Sequence, residues 1–246
     1  MNKIGWLIVF ELSSCVNAVG QIVASKQIGV GMGLSFNALK SELISPYKHK
    51  GNSAPLQLYF RSGREVSRHH VQLQYFSSNL ESISNGLGTN EEGGYLQYAF
   101  HRRVLNVKDR LVILGGVTVN AQVTKRTNLF YGSTGNNIAG ELIASLSPSL
   151  LVERSFKRDK ISAQLWSPVF AFLYQQGYAL GPLGGSLLSL HNFAELDGRI
   201  SYDRHLSERW NARFDYQFQI HRLSKFETFA LLRNQVIVSM AYKINK

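Results

Sequence analysis

Residues 209–221 read RWNARFDYQFQIH, and every second position is apolar: Trp210, Ala212, Phe214, Tyr216, Phe218 and Ile220. Between them stand Asn211, Arg213, Asp215, Gln217, Gln219 and His221. A period of two predicts a β-strand with one greasy and one polar face. The pattern recurs along the chain. In 27–36, Ile28, Val30, Met32, Leu34 and Phe36 share a face, opposite Gly29, Gly31, Gly33 and Ser35. Similar windows follow at 54–61, 70–76, 95–102 and 111–122. Windows 145–156 and 161–174 are less regular. Pro148 and Pro168 fall inside them, and proline in a strand marks a bulge or a strand end. Alternation resumes at 193–203 and closes at 233–243. About ten strands are predicted, with no helix-rich block and no domain linker.

Connection lengths also alternate. Short turns are expected at 62–65, 106–109, 157–160 and 204–208. Longer connections, most of them rich in Gly, Ser and Asn, are expected at 37–53, 77–94, 123–144, 174–191 and 222–232. In an up-and-down meander every second connection lies at the same end. A membrane-spanning barrel puts short turns at one end and long loops at the other, and an even strand number brings both termini to the short-turn end. A Greek-key sandwich has no reason for such a pattern.

Alternation alone does not say which face is inside. A soluble sandwich would bury the apolar faces. A membrane barrel would bury the polar ones and show the apolar ones to lipid. Strand length favours the barrel. The 209–221 strand alternates over about 12 residues, near the 9–11 needed to cross a bilayer at a tilt, where soluble strands average about 5–6.

Charge sharpens this reading. The chain of 246 residues carries a formal net charge of +11, which first suggests nucleic acid. The basic residues do not follow a helix or groove, however. Of 27 Lys and Arg, 13 fall in the four windows 61–68, 102–110, 154–160 and 203–209, around the short turns. A basic collar at one rim is expected, snorkelling to lipid headgroups or docking an acidic envelope partner, and no nucleic-acid role is expected.

At the N-terminus, Lys3 precedes the apolar run Ile4-Gly-Trp-Leu-Ile-Val-Phe10. Ala18-Val-Gly20 is a small-x-small cleavage site, so residues 1–20 read as a signal peptide and 21–246 as the barrel. Leu12-Ser13-Ser14-Cys15 also resembles a bacterial lipobox, which would put a lipid on Cys15. Cys15 is the only cysteine, so no intramolecular disulfide can form.

Taken together, the signal sequence, the ten amphipathic strands and a last strand with Val236, Val238, Met240 and Tyr242 on one face resemble a small bacterial outer-membrane β-barrel protein. The Ala-Val-Gly/Gln junction resembles exported proteins of Bacteroidota. The resemblance implies an antiparallel up-and-down barrel in the outer membrane, with both termini periplasmic and lipid as its surrounding partner. It is architectural, so function carries over weakly.

Candidate chemistry is sparse. Asp203-Arg-His205 resembles the Asp-x-His element of the ten-stranded outer-membrane proteases, but it falls at a short turn and lacks a second acidic pair. Ser84-Asn85-Gly86 resembles part of the outer-membrane phospholipase pattern without its histidine. His69 and His70 are adjacent on a strand and point to opposite faces, so they cannot chelate together. His101 and His221 read as hydrogen-bonded lumen residues. Glu195, Asp197, Arg199, Arg213 and Asp215 share the polar face of two consecutive strands. They are expected to form a lumen charge network, either structural or a gate. Catalytic residues, metal and cofactors are not expected. The expected function is a non-enzymatic structural or accessory outer-membrane component, within a larger envelope complex or alone. The alternatives are a narrow channel or small-solute-binding barrel, and a hydrolase with an unfamiliar site.

Overall fold

The computed structural model describes residues 25–41, 45–64, 66–82, 88–107, 111–128, 138–176, 182–188, 193–223 and 229–244. The signal peptide, Cys15 and Ser84-Asn85-Gly86 lie outside them.

Thirteen strands form one antiparallel sheet: β1 (Ser25–Ser41), β2 (Ser45–Ser53), β3 (Leu56–Gly63), β4 (Ser67–Ser82), β5 (Gly88–Val107), β6 (Leu111–Asn128), β7 (Ile138–Ser155), β8 (Asp159–Trp166), β9 (Phe170–Gln176), β10 (Pro182–Leu188), β11 (Phe193–His205), β12 (Trp210–Leu223) and β13 (Phe229–Ile244). Three pairs continue one another. β2 and β3 both lie between β1 and β4, β8 and β9 both pair with β7, and β10 and β11 lie beyond them. Joining these pairs gives ten staves, each beside its sequence neighbour. β13 returns to β1, from Lys26 opposite Ile244 to Ser41 opposite Phe229, and closes the ring. Closure leaves no free edge where β8 and β11 complete the ring, while among the described residues β10 pairs only with β9. The ten-stranded up-and-down barrel expected from alternation is the fold.

Two of the three breaks within staves fall at prolines. Ala54-Pro55 separates β2 from β3, and Ser167-Pro168 separates β8 from β9. At the second break, Ser149 pairs with Trp166 and Leu146 with Phe170, so three residues face two across the ladder. That is a β-bulge. Ser167 Oγ bridges it by donating to the Glu195 carbonyl at 2.7 Å. Pro148 behaves differently: it stays in β7 opposite Val117, without interrupting the strand. Its missing N–H coincides with the height at which the neighbouring stave is already broken.

Strands run further than the alternating windows suggest. β5 has 20 residues, β6 and β7 have 18 each, and β4 has 16. Segments 37–53, 77–94 and 123–144, expected as long connections, are largely strand. Their Ser, Asn and Gly content reads as loop, yet the period of two continues through them. Ser78, Leu80 and Ser82 are buried while Ser77, Asn79 and Glu81 are exposed.

The outer face is apolar over a band. On β1, Ile28, Val30, Met32, Leu34 and Phe36 are all exposed, Met32 by 65%. This stretch of nine residues matches a tilted bilayer crossing. Trp210 and Tyr242, at the end where the described chain ends, Ser25 and Ile244, lie, form an edge-on ring pair with centroids 5.3 Å apart, as interfacial aromatics do. Inside that band the lumen wall is polar: Gln57, Gln72, Gln74, Gln97, Thr118, Asn120, Gln164 and Gln235 are buried. Gly29 admits Tyr59 into this packing. A Cβ there would lie 2.4 Å from the Tyr59 ring.

Beyond the band, away from the chain ends, the order changes. Leu39, Leu80, Ile143, Ala171, Leu173, Leu188, Phe193, Leu223 and Leu231 meet inside the barrel as one apolar cluster. On β2 and β4 the outward residues there are Lys48, Lys50, Asn52, Ser77, Asn79 and Glu81.

Candidate functional site

All five predicted lumen residues, Glu195, Asp197, Arg199, Arg213 and Asp215, are buried inside the barrel. The register separates them. It sets Asp203 opposite Arg213, Ser201 opposite Asp215, Arg199 opposite Gln217 and Glu195 opposite His221. Opposite charges on β11 and β12 therefore face each other directly at one level, and the acid there is Asp203. Arg213 Nε donates to both carboxylate oxygens of Asp215 at 2.8 and 2.7 Å, and its Nη1 donates to Asp203 at 3.3 Å. Arg61 reaches the same Asp203 from β3 at 3.1 Å. The Arg213 guanidinium stands 5.5 Å from the Tyr59 ring centroid. Buried charges need such partners, because their desolvation is otherwise uncompensated.

Arg199 is held by neutral groups instead. Its Nη2 donates to Gln97 Oε1 at 2.8 Å and to Gln72 Oε1, and its Nη1 lies 2.8 Å from His70 Nδ1. The Trp166 ring lies 5.8 Å from the guanidinium carbon. Among the described residues no carboxylate lies within ion-pair distance of Arg199. Glu195 faces His221 at 3.2 Å, and the Phe193 ring packs edge-on to that imidazole. Asp197 forms no ion pair among the described residues. The predicted network is thus three separate arrangements and one unpaired acid.

The sequence reading missed a second charge cluster, since most of its members lie in segments read as loops. Arg126 bridges Glu91 and Glu141 at 3.3 and 3.4 Å. Arg233 reaches Glu91 at 3.2 Å, donates to Asn37 Oδ1 at 3.1 Å and lies 4.1 Å from the Phe76 centroid. Gln175 Nε2 donates to Glu141 at 3.2 Å. Continued alternation through Gln122-Val-Thr-Lys-Arg126 was the available signal.

The basic collar divides in two. Arg102, Arg154, Lys157, Arg158, Arg204 and Arg209 are exposed on the rim. Arg61, Arg68 and Lys160 turn into the mouth of the lumen. There Arg68 and Lys160 both bind Glu153, at 3.1 and 2.5 Å. With Arg64, Arg199, Arg213, His70 and His101 they line an open cup of about 320 Å³. Deeper in the lumen, the space beside Gln74, Tyr95, Trp166 and Asp197 is only about 30 Å³, room for one or two waters.

The other candidates are absorbed by structure. Asp203 is engaged by two arginines, and His205 Nδ1 meets Asn211 Oδ1 at 2.6 Å. His101 Nε2 lies 2.8 Å from Ser149 Oγ. His69 packs outside against Tyr98 and Phe100, while His70 faces inward.

No family model matches the sequence, and no curated protein matches it. Solved structures do. The translocator domain of the autotransporter NalP from Neisseria meningitidis is 9% identical with a TM-score of 0.53, over 98% of this chain and 95% of that one. The outer membrane protease OmpT from Escherichia coli is 7% identical with a TM-score of 0.55, over 90% of this chain and 96% of that one. At such identities the likeness is one of fold. This chain has the fold of an outer-membrane β-barrel.

Proposed function

We propose that the protein is a non-enzymatic accessory component of the outer membrane, of a Bacteroidota type, with its chain ends and basic rim in the periplasm. The observation that carries this reading is the filled lumen. Two buried ion-pair clusters, a glutamine-rich wall and an apolar layer occupy the interior, and the mid-lumen space holds about 30 Å³. A barrel of this strand number is mostly filled by its own side chains, unlike the water-filled lumen of larger porins. The acid of the Asp-x-His element is occupied by Arg61 and Arg213, which speaks against a hydrolase role for it. What remains available for function is the surface at the two ends: the exposed basic rim, suited to an acidic envelope partner or lipid headgroups, and the wall beyond the apolar band.

Two measurements test this. Purified protein in planar bilayers is expected to give no conductance steps, and regular open steps would overturn the filled-lumen reading. Mild detergent extraction from native envelopes is expected to recover an assembly larger than the monomer. A solitary monomer would overturn the subunit role.

A further inference from the structure

The cup at the chain-end mouth is more than a rim of charge. Six cationic side chains, Arg61, Arg64, Arg68, Lys160, Arg199 and Arg213, line it. Three carboxylates answer them: Glu153 in the wall, and Asp203 and Asp215 against Arg61 and Arg213. Arg64 has a partner of its own, so among the described residues two positive charges are left over. At its base, Arg199 is only 3% exposed and has no carboxylate partner. Burying an uncompensated guanidinium is costly, and neutral glutamines offset that only in part.

The hydrogen-bond count at the base is also incomplete. An arginine can only donate, so His70 Nδ1 accepts from Arg199 Nη1. That assignment puts the proton of the neutral imidazole on Nε2. His70 Nε2 and Arg199 Nε are both buried without a partner, so both are donors lacking an acceptor. His70 is only 9% exposed. Two orphan donors beside an unpaired cation, in a cup with excess positive charge, describe half of an anion site.

We propose that the cup binds a phosphate dianion, free or as the phosphate group of a small solute, with Arg199 and His70 as the donors at its base and Arg68 and Lys160 as the charged mouth. The excess of two charges favours a dianion over a single carboxylate. The volume of about 320 Å³ admits a phosphate with a short organic group attached. Entry is through the mouth, where the Arg61, Arg68 and Lys160 side chains are 20–27% exposed. The site does not depend on the lumen being closed, so a conducting barrel would leave it standing.

The test is titration of the folded, full chain in a neutral maltoside detergent with inorganic phosphate, read by calorimetry and by the temperature at which the heat-modifiable gel band converts. Saturable binding and a raised conversion temperature are expected, with chloride and acetate at least ten-fold weaker. Arg199→Gln and His70→Leu are each expected to weaken phosphate at least ten-fold. Lys157→Gln with Arg158→Gln, on the outer rim, is expected to change it less than two-fold. A short-chain phosphatidic acid that competes would identify a lipid headgroup as the source of the phosphate, and one that fails to compete a soluble phosphate. No saturable binding to the wild-type barrel would mean that water satisfies these donors, and the proposal would fall. It would fall equally if the rim variant lost as much as Arg199→Gln, since the attraction would then be diffuse. Should neither base variant fold, Arg68→Gln, at the part-exposed mouth, is expected to weaken phosphate at least three-fold, and unchanged affinity would overturn the site.

Discussion

At the height of Met32 and Tyr75 the wall is apolar outside and polar inside, with Gln72 and Gln74 buried behind it. A few residues further along the same strands, at Leu39 and Leu80, the order is reversed on β2 and β4: leucines meet inside, and Lys50, Asn79 and Glu81 face out. One continuous antiparallel ladder carries both arrangements. The difference lies in the solvent each stretch is built for. Lipid takes apolar side chains and leaves the interior to hydrogen bonds and ion pairs, while water restores the ordinary apolar core. β9 is an exception, because Phe170, Phe172 and Tyr174 remain exposed opposite the inward Ala171 and Leu173.

Substitutions in the two regions should separate these two kinds of stability. Arg213→Leu leaves Asp215 buried without its cation and Asp203 with Arg61 alone. It is expected to destabilise the barrel by about 3–5 kcal/mol in urea unfolding from detergent or vesicles. Leu80→Ala, in the apolar cluster beyond the band, should cost about 2–5 kcal/mol by creating a cavity. A cost near zero would mean that this layer does not pack as a core. Met32→Arg, on the lipid face, should cost about 2–4 kcal/mol and slow insertion into vesicles. If its effect in lipid matched that in detergent without lipid, the belt assignment would be wrong. His49, on β2 beyond the band, is buried with both ring nitrogens unpartnered, and burial holds its imidazole below the ordinary value. The unfolded chain therefore takes up the proton first as the pH falls through about 6.5. Its contribution to stability is present above that pH and lost below it, and His49→Leu should flatten that part of the pH profile. Lys50→Leu, exposed next to it, should change stability by less than about 0.5 kcal/mol.

The sequence shows the belt far better than the region beyond it. Trp210 to Ile220 and Ile28 to Phe36 alternate with strong contrast, so the strands follow from them, and their inside-out sense follows from strand length and from the basic residues gathered at the short turns. Past Tyr75 or Tyr95 the contrast fades, because Ser, Asn and Gly fill outward positions and small polar residues share the inner face with leucine. Compositionally such segments are loops, although their backbone is strand. The site was legible to the same degree. The period of two placed Arg199, Arg213 and Asp215 in the lumen, but partners depend on register and on staves distant in sequence. Nothing in β11 or β12 shows that Arg61 meets Asp203 or that Gln72 and Gln97 hold Arg199. The inward turn of Arg68 and Lys160 also needs the ring, since a basic residue near a turn has equal access to the rim and to the mouth.

Closure of the ring has a kinetic consequence. β1 and β13 are the first and last strands, and their pairing spans nearly the whole described chain. Until β13 is available, β1 has an unsatisfied edge and β12 has another, so neither end of the growing sheet can be sealed early. Contacts of such large sequence separation form slowly, because the intervening chain must first be ordered. Each molecule therefore passes through an open-sided sheet before it becomes a barrel. In that interval its survival depends on how well the two exposed edges are shielded from other chains.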